Sequence, residues 1–136
     1  MTYVIEVCKY LLSGASVSLR VFFVTLALSL PFGIILAVVY RMNGVFKKLV
    51  SFYTWFFRGT PLMLQLFFFM YGLPAIGIPV DRMMVAYIAF VINYSAYFTE
   101  IVRTGIENLP KDQFESAQVL GCKAVPMYRY IILPQA

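Results

Sequence analysis

The sequence has no histidine, so the commonest general base and metal ligand is absent. Charge is scarce as well. Only 12% of the 136 residues are charged, about half the usual share of a soluble domain. There is no glycine-rich loop followed by Lys and Ser or Thr, which excludes a phosphate-cradling nucleotide site of that type. The two cysteines, Cys8 and Cys122, lack metal-site spacing. These absences give no catalytic residue, no metal and no cofactor. One acidic group, Glu100, lies beside a long apolar run, so the clustered titratable groups of a membrane enzyme are missing too.

Apolar residues are abundant, at 62%, and the few charges are grouped. No charge occurs between Arg20 and Arg41, between Arg58 and Asp81, or from Met83 to Thr99. Val21 to Tyr40 as a helix would reach roughly 30 Å, the thickness of a hydrocarbon core. The fold class expected is therefore all-α, a polytopic membrane protein with three transmembrane helices. The net charge of +5 does not indicate nucleic acid, because the basic residues flank apolar runs and form no basic helix face.

Lysine and arginine set the expected orientation. Arg41, Lys47, Lys48 and Arg58 follow the first run, Arg82 follows the second, and Arg103, Lys111, Lys123 and Arg129 follow the third. The first and third connections are then cytoplasmic, and the N-terminus lies outside. Cys8 and Cys122 fall on opposite sides and cannot join within one folded chain. Residues 1–17 place Tyr3, Val7, Tyr10 and Leu11 on one face, which predicts a short amphipathic helix at the interface and no cleaved signal peptide.

Several positions stand out inside this frame. Pro31 and Gly33 predict a kink in the first span. Arg58-Gly59-Thr60-Pro61 predicts a broken element, with Thr60 capping a fresh helix at Pro61. Such breaks either bind solute in transporters or simply turn an interfacial helix into a spanning one. Asn93 needs a partner within its span, either another helix or a transported solute. Asn93, Thr60 and Gln65 are the candidate substrate path. Arg58, Gly59, Pro61, Glu100 and Arg103 are structural candidates, with Glu100 and Arg103 spaced to pair on one helix face.

Beyond Glu107 the apolar pattern stops. Asp112 is a candidate N-cap with Glu115 three positions on, Phe114, Ala117 and Gly121 share a face, and Pro126 could open a second short helix ending at Ile132. Gly121 can end the first helix or admit a close surface. The product is a hairpin too short to span. It either docks into a groove of a soluble partner or covers its own protein.

Glu115-Ser116-Ala117, Gly121, Ile131 and Leu133-Pro134 resemble the EAA loop of ABC importer permeases, in residue type and in spacing. Ser116 stands where that loop usually has alanine, and Asp112-Gln113 where the amino-acid branch usually has Gly-Gln. Phe57 to Leu62 and Asn93 to Tyr97, followed by Glu100 to Arg103, also resemble that branch, nearest to histidine, glutamine, arginine and cystine permeases. The resemblance implies a type I ABC importer subunit of a prokaryotic cell membrane, moving polar amino acids inward. It implies residues 1–136 as a single partial permease domain, the N-terminal part of that fold, since family members continue past Leu-Pro-Gln-Ala with further spans. Residues 113–134 would be the cytoplasmic coupling loop. Glu115, Ser116, Ala117, Leu120, Gly121, Ile131, Leu133 and Pro134 would couple it to a cytoplasmic ATPase, the subunit that hydrolyses ATP. The other implied partners are a second permease subunit, an extracytoplasmic amino-acid-binding protein and the lipid bilayer. The alternatives are a small membrane scaffold without transport of its own, or an importer permease for another solute such as an osmolyte.

Overall fold

The computed structural model describes residues 2–41 and 44–135. Helix α1 runs Thr2–Tyr40, α2 Val45–Gly59, α3 Leu62–Phe67, α4 Leu73–Ala75, α5 Arg82–Glu107, α6 Lys111–Val119 and α7 Ala124–Met127. Short π-helical turns at Phe68–Gly72 and Tyr128–Ile132 continue α3 into α4 and extend α7. The described residues contain no strand.

α5 is the hub, with α1, α2 and α3 all packed on it. Most of its buried positions, Val85, Ala89, Asn93, Ala96, Thr99 and Ile106, recur mainly three or four residues apart and so share one stripe, with Ser95 buried beside it. The closest crossing is with α1 at Gly33. A Cβ built there would lie 2.5 Å from the Phe98 Cβ and 3.0 Å from the Thr99 backbone nitrogen. Only glycine lets the two backbones come this close. Small polar residues line the same seam: Ser29 and Thr99 are fully buried, and their hydroxyls donate to their own helices at Thr25 O (2.5 Å) and Ser95 O (2.6 Å). The Thr25 hydroxyl is buried without a hydrogen-bond partner among the described residues and borders an apolar groove between α1 and α5.

The outer surface is strongly apolar. Phe22, Phe23, Leu28 and Ile35 on α1 are exposed, as are Phe52 and Trp55 on α2 and Phe67 and Phe68 beyond it. Water would penalise so large an apolar surface, whereas lipid is its natural solvent.

Two helices, Tyr3–Tyr40 and Arg82–Glu107, are long and apolar enough to cross a membrane. The middle element is broken at Gly59-Thr60-Pro61, as the sequence predicts. It is divided into α2 and the shorter apolar stretch Leu62–Ala75, because the chain becomes extended at Thr60 and Pro61. Residues 1–17, expected as a separate interfacial helix, are instead part of α1 from Thr2 onward. No proline interrupts that stretch, and Ser16 and Ser18 hydrogen-bond back to the helix's own carbonyls at Ser13 and Gly14, leaving it intact. At 39 residues α1 would be roughly 58 Å long, about twice a hydrocarbon core. It stays helical through Pro31.

Both π-helical turns end two residues before a proline, Pro74 or Pro134. Proline has no N–H and its ring clashes with the carbonyl four residues back. A wider turn relieves that clash, and the Leu133 N–H reaches Tyr128 O, five residues back, at 2.9 Å.

Candidate functional site: a knotted helix break and a hairpin

The break between α2 and α3 leaves the last carbonyls of α2 without helical partners. Side chains from three places converge on them. Gln65 Nε2 donates to Phe57 O (3.0 Å), Thr60 O (3.1 Å) and Thr60 Oγ1 (2.7 Å). Asn93 Nδ2 crosses from α5 to donate to Phe57 O (2.9 Å) and Gln65 Oε1 (3.2 Å). Both amides are buried, so these bonds lie out of reach of bulk solvent and are correspondingly strong. Asn93, Thr60 and Gln65, the expected substrate-path residues, are thus brought into one hydrogen-bond network.

Thr60 differs from expectation. It caps the end of α2, its hydroxyl donating to Phe56 O at 2.9 Å, and does not cap the start of α3. Pro61 occupies the N-cap position of α3, extended at φ −61° and ψ 134°, with no side-chain cap. A second tie lies one turn earlier. The Tyr53 hydroxyl is 2.6 Å from both Ile92 O and Ser95 Oγ on α5. Sequence reasoning missed Tyr53, since an aromatic ending in a hydroxyl looks like any other membrane-interface tyrosine. It also missed the Asp81 cap of α5, whose carboxylate accepts from Met83 N (2.9 Å) and Met84 N (3.0 Å). An aspartate directly before an apolar run was the available signal.

Charged groups form a chain along one side of α5. Arg103 pairs with Glu100 and, at 2.6 Å, with Glu107, while Arg58 beside the break lies 3.5 Å from Glu100. Aromatic rings cover both cations, Tyr97 at 5.4 Å from Arg58 and Tyr40 at 5.1 Å from Arg103. Gly59 has open space around it.

The segment after Glu107 forms two short helical arms against the end of α5. Ala117 from one arm, Met127 and Ile132 from the other, and Ile106 of α5 make a buried cluster, flanked by Phe114, Ile131 and Leu133. α6 starts at Lys111 after an N-cap at Pro110, with no side-chain cap, so Asp112 is not the cap. It sits in the first turn, where its charge favours the helix dipole. α7 starts at Ala124, placing Pro126 within its first turn, where a missing N–H costs no helical bond. α6 ends at Val119, and Gly121, two residues on, has a φ of +71°. The Cys122 N–H reaches Ala117 O and the Gly121 N–H reaches Gln118 O, both at 2.9 Å, the paired bonds of a Schellman ending.

The EAA-like residues therefore divide. Ala117, Ile131 and Leu133 pack the hairpin on itself, while Glu115, Ser116, Leu120, Gly121 and Pro134 are exposed. At the tip Val119 is 87% exposed and Leu120 84%, an apolar end that the described residues do not cover. Cys8 is exposed and Cys122 half-buried, and both are free thiols. No cluster of metal-ligating side chains occurs among the described residues.

A helical membrane component with a broken helix and a packed hairpin is the class these features define. Residues 29–136 match the family described as binding-protein-dependent transport system inner membrane component, and the chain belongs to that family. It is 36% identical over 129 residues to the arginine transport system permease protein ArtQ of Bacillus subtilis, covering 93% of this chain and 59% of that one. It is 40% identical over 114 residues to the L-cystine transport system permease protein TcyB of the same organism, covering 80% of this chain and 49% of that one. A crystal structure of an amino acid ABC transporter with histidines superposes with a TM-score of 0.81 at 32% identity, over 96% of this chain and 63% of that one. The chain thus spans about 59% of the length of curated relatives such as the arginine permease.

Proposed function

We propose that this chain is the permease part of an ATP-binding-cassette importer that carries polar amino acids across a cell membrane. The observation that carries the reading is the superposition of 96% of the chain on an amino acid ABC transporter, at 32% identity. Relatives that include an arginine and a cystine transport permease point to the same solute class.

In this reading the chain crosses the bilayer three times: through α1, through the broken element α2 to α4, and through α5. The N-terminus lies outside and the hairpin inside, where basic residues concentrate. Residues 113–134 are the coupling loop. Its packed residues, Ala117, Ile131 and Leu133, keep the two arms rigid. Its exposed residues, Glu115, Ser116, Leu120 and Gly121, meet a cytoplasmic ATPase, which performs the ATP hydrolysis. A second permease subunit and an extracytoplasmic binding protein complete the assembly. Asn93, Thr60 and Gln65 flank the substrate path from behind. Their hydrogen bonds hold the break in place, and the solute passes along the surface that the break presents.

The test is uptake of labelled arginine, glutamine and cystine by cells with and without the gene. Loss of uptake of one of these on deletion, restored by the gene on a plasmid, is the expected result. Undiminished uptake of all three, with loss of an osmolyte's uptake or of none, would overturn the solute class.

A further inference from the structure

Where α1, α2, α5 and α6 meet, a cavity of about 500 Å³ opens, lined by Tyr40, Arg41, Lys47, Lys111, Glu107 and Glu115 among others. We propose that this cavity is a binding site for a phosphate-bearing anion, supplied by the headgroup of an anionic phospholipid.

The charge balance leads there first. Arg41, Lys47 and Lys111 make no ion pair among the described residues. Of the two carboxylates in the lining, Glu107 is engaged by Arg103 at 2.6 Å, which leaves Glu115 against three cations. Like charges gathered around one hollow repel one another, and an anion between them relieves the repulsion. Two of the cations, Arg41 and Lys47, are also held in place. The Arg41 guanidinium lies 4.8 Å from the centre of the Phe114 ring and 5.9 Å from that of Tyr128. Lys47 Nζ lies 5.2 Å from the Tyr40 ring. Aromatic faces keep a cation in position without neutralising it, so each remains able to meet a phosphate oxygen.

The position favours lipid as the source. The cavity lies at the ends of both helices long enough to cross a membrane, next to Tyr40 at the end of α1 and Ile106 near the end of α5. Tyrosine and basic residues at the end of a span belong to the headgroup layer. Basic pockets between helices at that depth suit anionic headgroups. The apolar part of the lining, Ile106, Leu109 and Phe114, suits the glycerol and first methylenes of the same lipid. The inference requires the chain's membrane location and does not depend on which solute it carries.

The experiment uses the full chain, purified in detergent and stripped of lipid. It is titrated with short-chain phosphatidylglycerol and phosphatidylcholine, and bound lipid is counted by native mass spectrometry. The wild type is expected to hold one phosphatidylglycerol in clear preference to phosphatidylcholine. Lys47→Gln and Lys111→Gln should each weaken that binding about fivefold, the usual effect of one basic residue near an anionic headgroup. Lys48→Gln, exposed and outside the cavity, should leave it unchanged. A competition arm with inorganic phosphate assigns the source. Displacement only by anionic lipid supports the headgroup, whereas displacement by millimolar phosphate alone would overturn the lipid assignment. Equal binding of the two lipids, or an unaltered preference in the Lys47→Gln/Lys111→Gln double variant, would overturn the site itself.

Discussion

Asn93 of α5 and Gln65 of α3 donate to the same acceptor, the carbonyl of Phe57, at 2.9 and 3.0 Å. Two amides from different helices thereby satisfy one of the carbonyls that α2 leaves open where it breaks. Asn93→Leu keeps the volume but removes the donor, stranding the Gln65 carbonyl oxygen. Leaving such a buried group unpaired costs about 1–3 kcal/mol. Thermal unfolding in detergent should show a lowered midpoint for Asn93→Leu, and a smaller change for Tyr53→Phe, which leaves Ser95 its own bond to Ile92 O. An unchanged midpoint in Asn93→Leu would mean that the network does not hold the break.

The crossing at Gly33 leads to a second expectation. Gly33→Ala drives a methyl group into Phe98, and overpacking of this kind costs about 1–3 kcal/mol. Gly14→Ala provides the control, because no atom lies within 4 Å of the added carbon. That change should stabilise α1 by about 0.5–1 kcal/mol through helix propensity. The two variants should move the unfolding midpoint in opposite directions, and movement in the same direction would contradict the close α1–α5 crossing.

Gly121 adopts φ +71° with open space around it, so backbone strain and steric contact can be separated there. Asparagine accepts this conformation far better than alanine does. Gly121→Asn should therefore keep the hairpin's stability close to that of the wild type. Gly121→Ala should lose about 1 kcal/mol, the penalty of the left-handed region. Proteolysis at the hairpin provides the readout. Equal protection of the two variants would show that the left-handed turn is not what the glycine supplies.

The Arg58–Glu100–Arg103–Glu107 chain is partly exposed, with 27% of the Glu100 side chain accessible. Water screens such pairs, and each contributes about 1 kcal/mol or less. Glu100→Gln should lower stability modestly in low salt, and the difference should shrink as salt rises. Glu100→Lys should be clearly worse, because it places a third cation between Arg58 and Arg103. If Glu100→Lys tolerates low salt as well as the wild type, the chain has no structural part.

Charge spacing made α1 and α5 legible, because a bilayer excludes charge from any long stretch and the flanking basic residues mark its edges. The helix break was legible at Gly59-Thr60-Pro61 for a similarly local reason. Its partners were harder to see. Asn93 looked like an intramembrane polar group in need of a partner, but the acceptor it shares with Gln65 is a backbone carbonyl, which leaves no trace in side-chain identity. The cap at Thr60 was assigned to the wrong helix, since one hydroxyl beside Pro61 can serve the helix before or the helix after. Continuity of α1 through residues 2–20 was missed because an amphipathic face was read as a surface helix. The left-handed turn at Gly121 was open in the sequence, whereas the burial of Ala117 beside the exposure of Leu120 needed the second arm to be in place.

The central proposal is that the hairpin's exposed tip docks on an ATPase, and Leu120 tests it most directly. Leu120 is 84% exposed, so Leu120→Asp should cost the folded chain almost nothing, and its unfolding midpoint should match the wild type. In the docked complex the same aspartate would be a buried, unpaired charge, a penalty of several kcal/mol. The measurement is co-purification of the ATPase with the tagged permease from detergent-solubilised membranes. The wild type should retain the ATPase, and Leu120→Asp at unchanged stability should lose at least about tenfold of it. Equal retention by the two proteins would contradict the assignment of this hairpin as the coupling element.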